Sequence, residues 1–519
     1  MIIRDHLDAA LERGNRPFLH FEDRTLTFAE YVALCRASGG AWAEAGVRQG
    51  DFGAVLLPNS PEFLATFHGL VSTGGVMVPM NTRYVPDEAA YVLEHSGAKV
   101  LLTDREHYER MIAPIRSRLT KLERVLLLDG EGDEDFRALL EADLPAPRPK
   151  IDPEDVAVVL YTSGTTGNPK GSLTPQAHFV INGTALNRAI DLDADGVHMT
   201  VLPLFHQNAE TTTTGALIAG CRLVIAPRFS RRGFWDDVER FGVTHAGYLG
   251  SIIPLLDKLE DPRERDSTLR VMWGAGLSPE AQVRLEERWG VIFIEMFGMT
   301  ETGMDTVNPI HGERRLGSCG LPVEGKNVRI VDENDNEVPP ETPGEIVVQV
   351  MPAVTRGYLN DPEATARALR GGWMHTGDMA KRDADGYFYF LDRYKDIIRR
   401  SGENMSSAGI EAVVRDHPAV LDAAVVPVPD EIRGEEVKAI VVLREGLSPE
   451  DMPPEDLRSW CRERLADYKV PRYVEYRETV ERTATGKVRK QQMRGEHGLF
   501  PCYDAVEAVW MGRDEVSAR

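Results

Sequence analysis

The stretch YTSGTTGNPKG, residues 161–171, follows the apolar run VAVVL and holds three glycines, four Ser/Thr hydroxyls and a single lysine. Glycines let backbone N–H groups come close to an oxyanion, hydroxyls add rotatable donors, and Lys170 brings a positive charge, so these parts suit a polyphosphate. The spacing departs from G-x-x-x-x-G-K-[ST], because Pro169 rather than glycine precedes Lys170, and this is therefore another kind of phosphate loop. Taken alone, such a composition also describes a ligand-free flexible connector. The rest of the chain has to decide.

At 519 residues the chain exceeds what one hydrophobic core serves, so a large domain with at least one smaller companion is expected. A net charge of −22 argues against a general binder of nucleic acid or anionic membrane, and any anion site has to be local. The start, MIIRDHLDAALERG, has acidic residues where a signal peptide needs an apolar core, and FLATFHGLVSTGGVMVPM is broken by His68 and glycines. The expectation is a soluble, cytoplasmic protein. Cys35, Cys221, Cys319, Cys461 and Cys502 lie far apart without a C-x-x-C, which predicts buried free thiols rather than disulfides or a thiolate metal site.

From Val156 to Phe297, strand-like runs (VAVVLY, MTVLPLF, RLVIAP, RVMWG) alternate with helical patterns (HFVINGTALNRAI, FWDDVERFG). That alternation predicts a layered α/β domain with largely parallel strands. In LSPEAQVRLEERWG, Ser278 reads as a helix cap, Pro279 as the first helical residue and Gly290 as the stop, and VIFIEMFG resumes as a strand. The loops GAGLSP and FGMTETG thus each follow a strand end, where ligands collect in doubly wound sheets. After Gly320 short β runs and acidic turns predict a β-rich part, and beyond Lys395 helix and strand patterns predict a compact α+β domain.

Seven motifs in order carry a resemblance: YTSGTTGNPKG, PLFH ending at His206, GAGLSPE from Gly274, FGMTETG from Phe297, TGD ending at Asp378, DRYKD from Asp392, and TATGK ending at Lys487. Together they resemble the adenylate-forming superfamily of acyl-CoA synthetases, luciferases and peptide-synthetase adenylation domains. Within it, PLFHQNAETTTTGALIAG, RFSRRGFWDDV and GYLGSIIPLL are most similar to the crotonobetaine/carnitine-CoA ligase-like branch.

The resemblance implies a two-domain enzyme, residues 1–392 carrying the ATP and acyl sites and residues 393–519 a mobile domain with the catalytic lysine. It implies ATP, Mg²⁺ and CoA as cofactors, acting on a small-molecule carboxylic acid without nucleic acid or membrane insertion; a homodimer is the assembly considered. Thr162, Ser163, Gly164, Thr165, Thr166, Gly167 and Lys170 would hold the β- and γ-phosphates, Thr300 the α-phosphate and Glu301 the metal. Asp378 would accept the ribose hydroxyls with help from Arg393. Phe297 would stack on adenine against Gly274, Ala275 and Gly276, with Met296, Gly298, Met299 and Phe390 completing the nucleotide site. Lys487 would bridge the acyl carboxylate and the α-phosphate. His206 becomes a gate residue, and Tyr248, Leu249, Gly250, Ile252 and Asn208 line the acyl pocket. Ser401 and Gly402 would meet CoA, and Lys395 would be the hinge.

Each residue alone has a plainer reading: a solvated carboxylate for Glu301, a core aromatic for Phe297, a turn aspartate for Asp378, a surface lysine for Lys487 and a core histidine for His206. Only their joint order overturns it. The chain departs from the superfamily in Asp392 before Arg393, where Gly-Arg is usual, in Gly409-Ile410-Glu411 after GEN, where relatives carry Glu-Ile/Val-Glu, and in Glu481, where proline is common. The Gly409 departure touches thiol transfer rather than adenylation. The readings in play are a CoA ligase for a bulky aliphatic, terpenoid-like or carnitine-like acid, an adenylating enzyme serving a separate ligase or carrier, and a nucleotide-binding regulator without turnover.

Overall fold

The computed structural model describes residues 1–130, 135–162, 169–250, 252–259, 261–393, 396–400, 403–430, 433–482, 488–497 and 499–512. Its contacts divide the chain into two compact units: Met1–Arg329 with Val347–Thr376 and Gly386–Phe388, and Ile330–Ile346 with Gly377–Asp385 and Tyr389–Arg519.

The first unit contains two large sheets. The nine-stranded sheet runs Leu321–Pro322, Gly303–Val307, Ile292–Met299, Val271–Ala275, His245–Leu249, Val197–Thr200, Arg222–Ile225, Pro17–Phe21, Arg24–Thr27. Its middle pairings are parallel and the outer ones antiparallel. The helix that separates Val271–Ala275 from Ile292–Met299 begins and ends as the sequence predicts. Ser278 accepts from the Ala281 N–H, Pro279 opens the first turn, and Gly290 takes a left-handed φ of 68° at the stop. A strand–helix–strand unit of this kind forces parallel pairing, because the chain must cross back before the next strand starts.

The six-stranded sheet runs Arg124–Leu127, Val100–Thr103, Phe52–Leu56, Val76–Pro79, Val156–Thr162, Lys170–Pro175. Its neighbours are parallel up to the last pair, an antiparallel hairpin with Thr162 opposite Lys170. Ala157, Val158, Val159 and Leu160 are all buried, which explains a continuous apolar run instead of alternation: this strand is covered on both faces. Residues 163–168 connect the hairpin's two strands. Phe67, Phe179, Trp42, Leu70 and Met77 belong to the main core.

The β runs expected after Gly320 are present as Val328–Val331, Gly344–Gln349, Leu369–Arg370, Trp373–Arg382 and Phe388–Arg393. In the second unit, Val420–Asp430 and Gly434–Leu443 form a long antiparallel pair, and the helices Ser407–Arg415 and Pro454–Arg462 contribute Ile410, Val414, Leu457 and Cys461 to its core. Asp392 is buried there and accepts from Ser407 Oγ at 2.8 Å and the Ala408 N–H at 3.0 Å. An aspartate in place of the superfamily's glycine thus acts as a helix cap, where its charge faces unpaired N–H groups. All five cysteines are free and buried, and burial pushes the Cys35 and Cys221 thiols up to about 12. Among the described residues, no helix is long and apolar enough to cross a membrane.

Candidate active site

Three parallel strands end at one edge of the nine-stranded sheet. Tyr248 lies opposite Gly274, and Gly274 opposite Glu295, so the segments after Tyr248, Gly274 and Glu295 emerge side by side. A side chain at Gly274 would start 2.3 Å from the Tyr248 carbonyl oxygen, which is why this strand has no bulk here. The Gly250 N–H donates to the Ala275 carbonyl at 3.0 Å, extending the pairing past the strand ends. Asn208 reaches the same edge, its Oδ1 3.6 Å from where a Gly247 Cβ would lie. Ala275 and Gly276 therefore stand beside Leu249 and Gly250, and Met296 and Phe297 follow on the next strand, with Phe297 buried.

Beyond Phe297, Gly298 and Met299 the chain reverses into Gly303–Val307, with Met299 opposite Gly303, and this places Thr300, Glu301 and Thr302 on the turn. Gly303 has a φ of 84°, and a Cβ there would fall 2.1 Å from Asn182 Nδ2. Only glycine fits. Below the turn lies a buried ionic pair that no sequence pattern announced. Lys326 Nζ donates to Asp305 Oδ1 at 2.9 Å and to the Thr302 carbonyl at 2.6 Å, and Thr302 Oγ1 donates to Asp305. Burial pushes the Asp305 carboxyl up and the Lys326 ammonium down, and each partner's charge pulls the other back toward its ionised form.

The turn is also tied to the hairpin. Thr355 N–H donates to the Glu301 carbonyl at 2.7 Å, and the chain from Thr355 onward runs along Lys170–Pro175. Arg356 N–H donates to the Leu173 carbonyl at 2.8 Å, Leu173 N–H to Gly357 at 2.9 Å and Leu359 N–H to Gly171 at 2.8 Å. The side chain of Tyr358 spans the gap: its hydroxyl donates to Glu301 Oε1 at 2.9 Å, and Lys170 Nζ sits 5.1 Å from its ring centroid. Burial and the Glu301 charge both push the Tyr358 hydroxyl's pKa up, so it stays a donor. Glu301 is itself buried. One buried carboxylate beside threonine hydroxyls suits Mg²⁺, which takes one or two carboxylates and completes its shell from phosphates and water. Among the described residues no group of three or more His, Cys, Asp or Glu side chains could hold a metal by itself.

His206 caps the helix Gln207–Ala219, its Nδ1 accepting from the Asn208 N–H at 3.3 Å. Tyr248 is fully buried and its hydroxyl donates to Glu295. Ile252 is buried beside it in sequence. Asp378 is buried on Trp373–Arg382, following Gly377, whose N–H donates to Glu345 Oε1 at 2.9 Å. Phe390 is exposed on Phe388–Arg393, the strand that Arg393 ends. Ser163, Gly164, Thr165, Thr166, Gly167, Lys395, Ser401, Gly402 and Lys487 lie outside the described residues. The structure thus brings Lys170 and Glu301 together through Tyr358, and Tyr248 and Gly276 together through Glu295. Tyr358, Glu295, Asp305 and Lys326 were not among the residues the sequence pointed to.

The AMP-binding enzyme family matches residues 7–359, and the AMP-binding enzyme C-terminal domain matches residues 409–487. The crotonobetaine/carnitine–CoA ligase of Salmonella arizonae is 34% identical over 463 residues, 86% of this chain and 89% of that protein. The anthranilate CoA ligase AuaEII, solved with anthranoyl-AMP, superposes with a TM-score of 0.87 at 26% identity, covering 95% of this chain and 97% of that one. O-succinylbenzoate coenzyme A synthetase from Bacillus subtilis, solved with ATP and a magnesium ion, gives 0.81 at 27% identity over 94% and 98%. With the Lys170 hairpin, the Glu301 turn and the strand edge all in one unit, the chain belongs to the AMP-binding enzyme family and is an AMP-forming acyl-CoA synthetase.

Proposed function

We propose that the protein joins a bulky aliphatic or terpenoid-like carboxylic acid to CoA through an acyl-AMP. The observation that carries this reading is the single edge where the small-residue strand ends, the Glu301 turn and the Lys170 hairpin meet. In the first step an acyl carboxylate oxygen bonds to the α-phosphorus of ATP, and the bond to the bridging oxygen breaks, releasing pyrophosphate. In the second, the CoA sulfur bonds to the acyl carbonyl carbon, AMP leaves and the thiol proton is lost.

Both steps concentrate anions, so the chain's part is to place donors where charge develops. Lys170 and the hydroxyls of residues 162–166 would hold the β- and γ-phosphates, Thr300 the α-phosphate, and Phe297 with Gly274 to Gly276 the adenine. Asp378 and Arg393 would seat the ribose, with Met296, Gly298, Met299 and Phe390 around the nucleotide. Mg²⁺ held by Glu301 would neutralise phosphate oxygens. Lys487 would bridge carboxylate and α-phosphate and then withdraw as residues 393–519 turn about Lys395, bringing Ser401 and Gly402 to CoA. His206 would gate the acyl carboxylate.

The acid itself divides the reading. Glu295 is the carboxylate next to the Tyr248 wall, and its oxygens accept from Tyr248 and from the Gly276 and Leu277 N–H groups. It is therefore poorly placed as counter-charge for a quaternary ammonium, which favours an uncharged tail. A carnitine-like acid is the second reading, favoured by the 34% identity to a ligase of that name. Transfer of acyl-AMP to a separate ligase or carrier is favoured by Gly409, which stands where relatives carry glutamate: the site is exposed and, among the described residues, a Cβ there would meet Ser406 at 3.7 Å, an ordinary contact that does not demand the glycine. Acid-dependent ATP–pyrophosphate exchange over a panel with L-carnitine, crotonobetaine and branched or cyclic aliphatic acids, followed by thioester detection with CoA, tests all of this. Exchange without thioester would replace the ligase reading by the adenylating one, and no exchange with any acid would leave only nucleotide binding.

A further inference from the structure

Glu295 stands between the two halves of the site and is used by neither step above. It lies on Ile292–Met299 and is buried. One oxygen, Oε2, accepts from the Gly276 N–H at 3.0 Å; the other, Oε1, accepts from the Leu277 N–H at 3.0 Å and from the Tyr248 hydroxyl. The two consecutive N–H groups converge on this carboxylate where Gly276 bends the backbone with a φ of 93°. In so buried a place each hydrogen bond is strong and each vacancy costly. Among the described residues, the Tyr248 hydroxyl's hydrogen bond goes to this carboxylate.

We propose that Glu295 is a positioning residue that couples the acyl wall at Tyr248 to the adenine-facing loop at Gly276, so that a change on one side is felt as affinity on the other. The inference rests on the reading that Gly274 to Gly276 face adenine and Tyr248 faces the acid. Physically, a carboxylate shared by two walls cannot serve one in a shifted position without losing the other, and such sharing is a coupling free energy between sites. Glutamine in its place has one acceptor oxygen, and its NH₂ group would face a donor. One of the two walls would lose its anchor.

The test measures AMP binding by calorimetry to the full chain and to Glu295→Gln, Tyr248→Phe and the double variant, with urea unfolding as a check on folding. Tyr248→Phe keeps the ring against Gly274 and removes only the hydroxyl on Glu295, so any effect on AMP has to pass through that carboxylate; it is expected to weaken AMP about threefold, Glu295→Gln about tenfold, and the double variant no more than Glu295→Gln, because residues sharing one network are not additive. Acid and ATP KM values should rise together in Glu295→Gln with a smaller change in kcat, a split that general loss of stability does not produce. Unchanged AMP affinity in Tyr248→Phe, or factors that multiply in the double variant, would overturn the coupling while leaving the ligase reading intact. A wild-type chain that neither binds AMP nor exchanges pyrophosphate with any acid would take down the functional reading and this inference together. Should Glu295→Gln not fold, Tyr248→Phe alone still decides.

Discussion

The loop at Gly276 and the turn at Glu301 leave adjacent strands at the same edge of the same sheet, yet they are held by opposite means. The turn rests on a fully buried ion pair, Asp305–Lys326, and is stitched from the side by Thr355 and Tyr358. The loop hangs on one carboxylate, Glu295, which burial lifts to about 7 against the pull of Tyr248 and two N–H groups. In the pair each charge offsets part of the other's burial penalty, whereas the Glu295 carboxyl, with no cation beside it among the causes of its shift, titrates near neutral pH. The turn is thus held by opposite charges and the loop by a single titratable carboxylate.

Breaking the ion pair should produce the largest effect. Lys326→Met leaves Asp305 buried without its cation and is expected to cost about 3–5 kcal/mol of stability, measured by urea unfolding. Replacing both partners together should cost much less than the single change; an equal cost would mean that the pair does not support the turn. Next, Glu301→Gln keeps shape but removes charge and should slow ATP–pyrophosphate exchange on the order of 10²-fold with a raised Mg²⁺ requirement. Wild-type rate and Mg²⁺ dependence would remove Glu301 from the metal site.

The contrast in ionisation has its own signature. The Glu295 carboxyl has a folded pKa of about 7 against a usual 4.5, so between these values the folded state binds more protons than the unfolded one. Its contribution is full below about 4.5, is lost as pH rises through about 7, and is on the order of 3 kcal/mol. Buried His68 and His178, lowered to about 3 by burial, act in the opposite sense and lose stability as pH falls below about 6.5. Subtracting the pH–stability curve of Glu295→Gln from that of the wild type isolates the first effect. A flat difference between pH 5 and 8 would show that the loop is as permanent as the turn.

The smallest change sharpens the picture of the turn. Tyr358→Phe retains the ring under Lys170 but removes the hydroxyl on Glu301, a hydrogen bond to a charged group worth about 1.5 kcal/mol, or roughly tenfold. The Mg²⁺ concentration for half-maximal exchange should rise by that factor with little change in AMP affinity. Tyr358→Leu, which also removes the ring, should in addition raise the KM for ATP. Equal behaviour of the two variants would separate Tyr358 from Lys170.

Much of this was legible in the chain. Helix Pro279–Trp289 was marked at both ends by Ser278, Pro279 and Gly290, since caps are local chemistry, and VAVVL announced a strand. The order of seven motifs determined the family, because each satisfies its geometry within a few residues. What ties the motifs to one another was decided only by the tertiary structure. Tyr358 meets Glu301 across 57 positions, Lys326 meets Asp305 across 21 and Glu295 meets Tyr248 across 47. No motif or spacing in the sequence singled these residues out. A polar residue's role depends on which partner shares its burial, and that partner is set by how the strands line up, a property that no local spacing encodes.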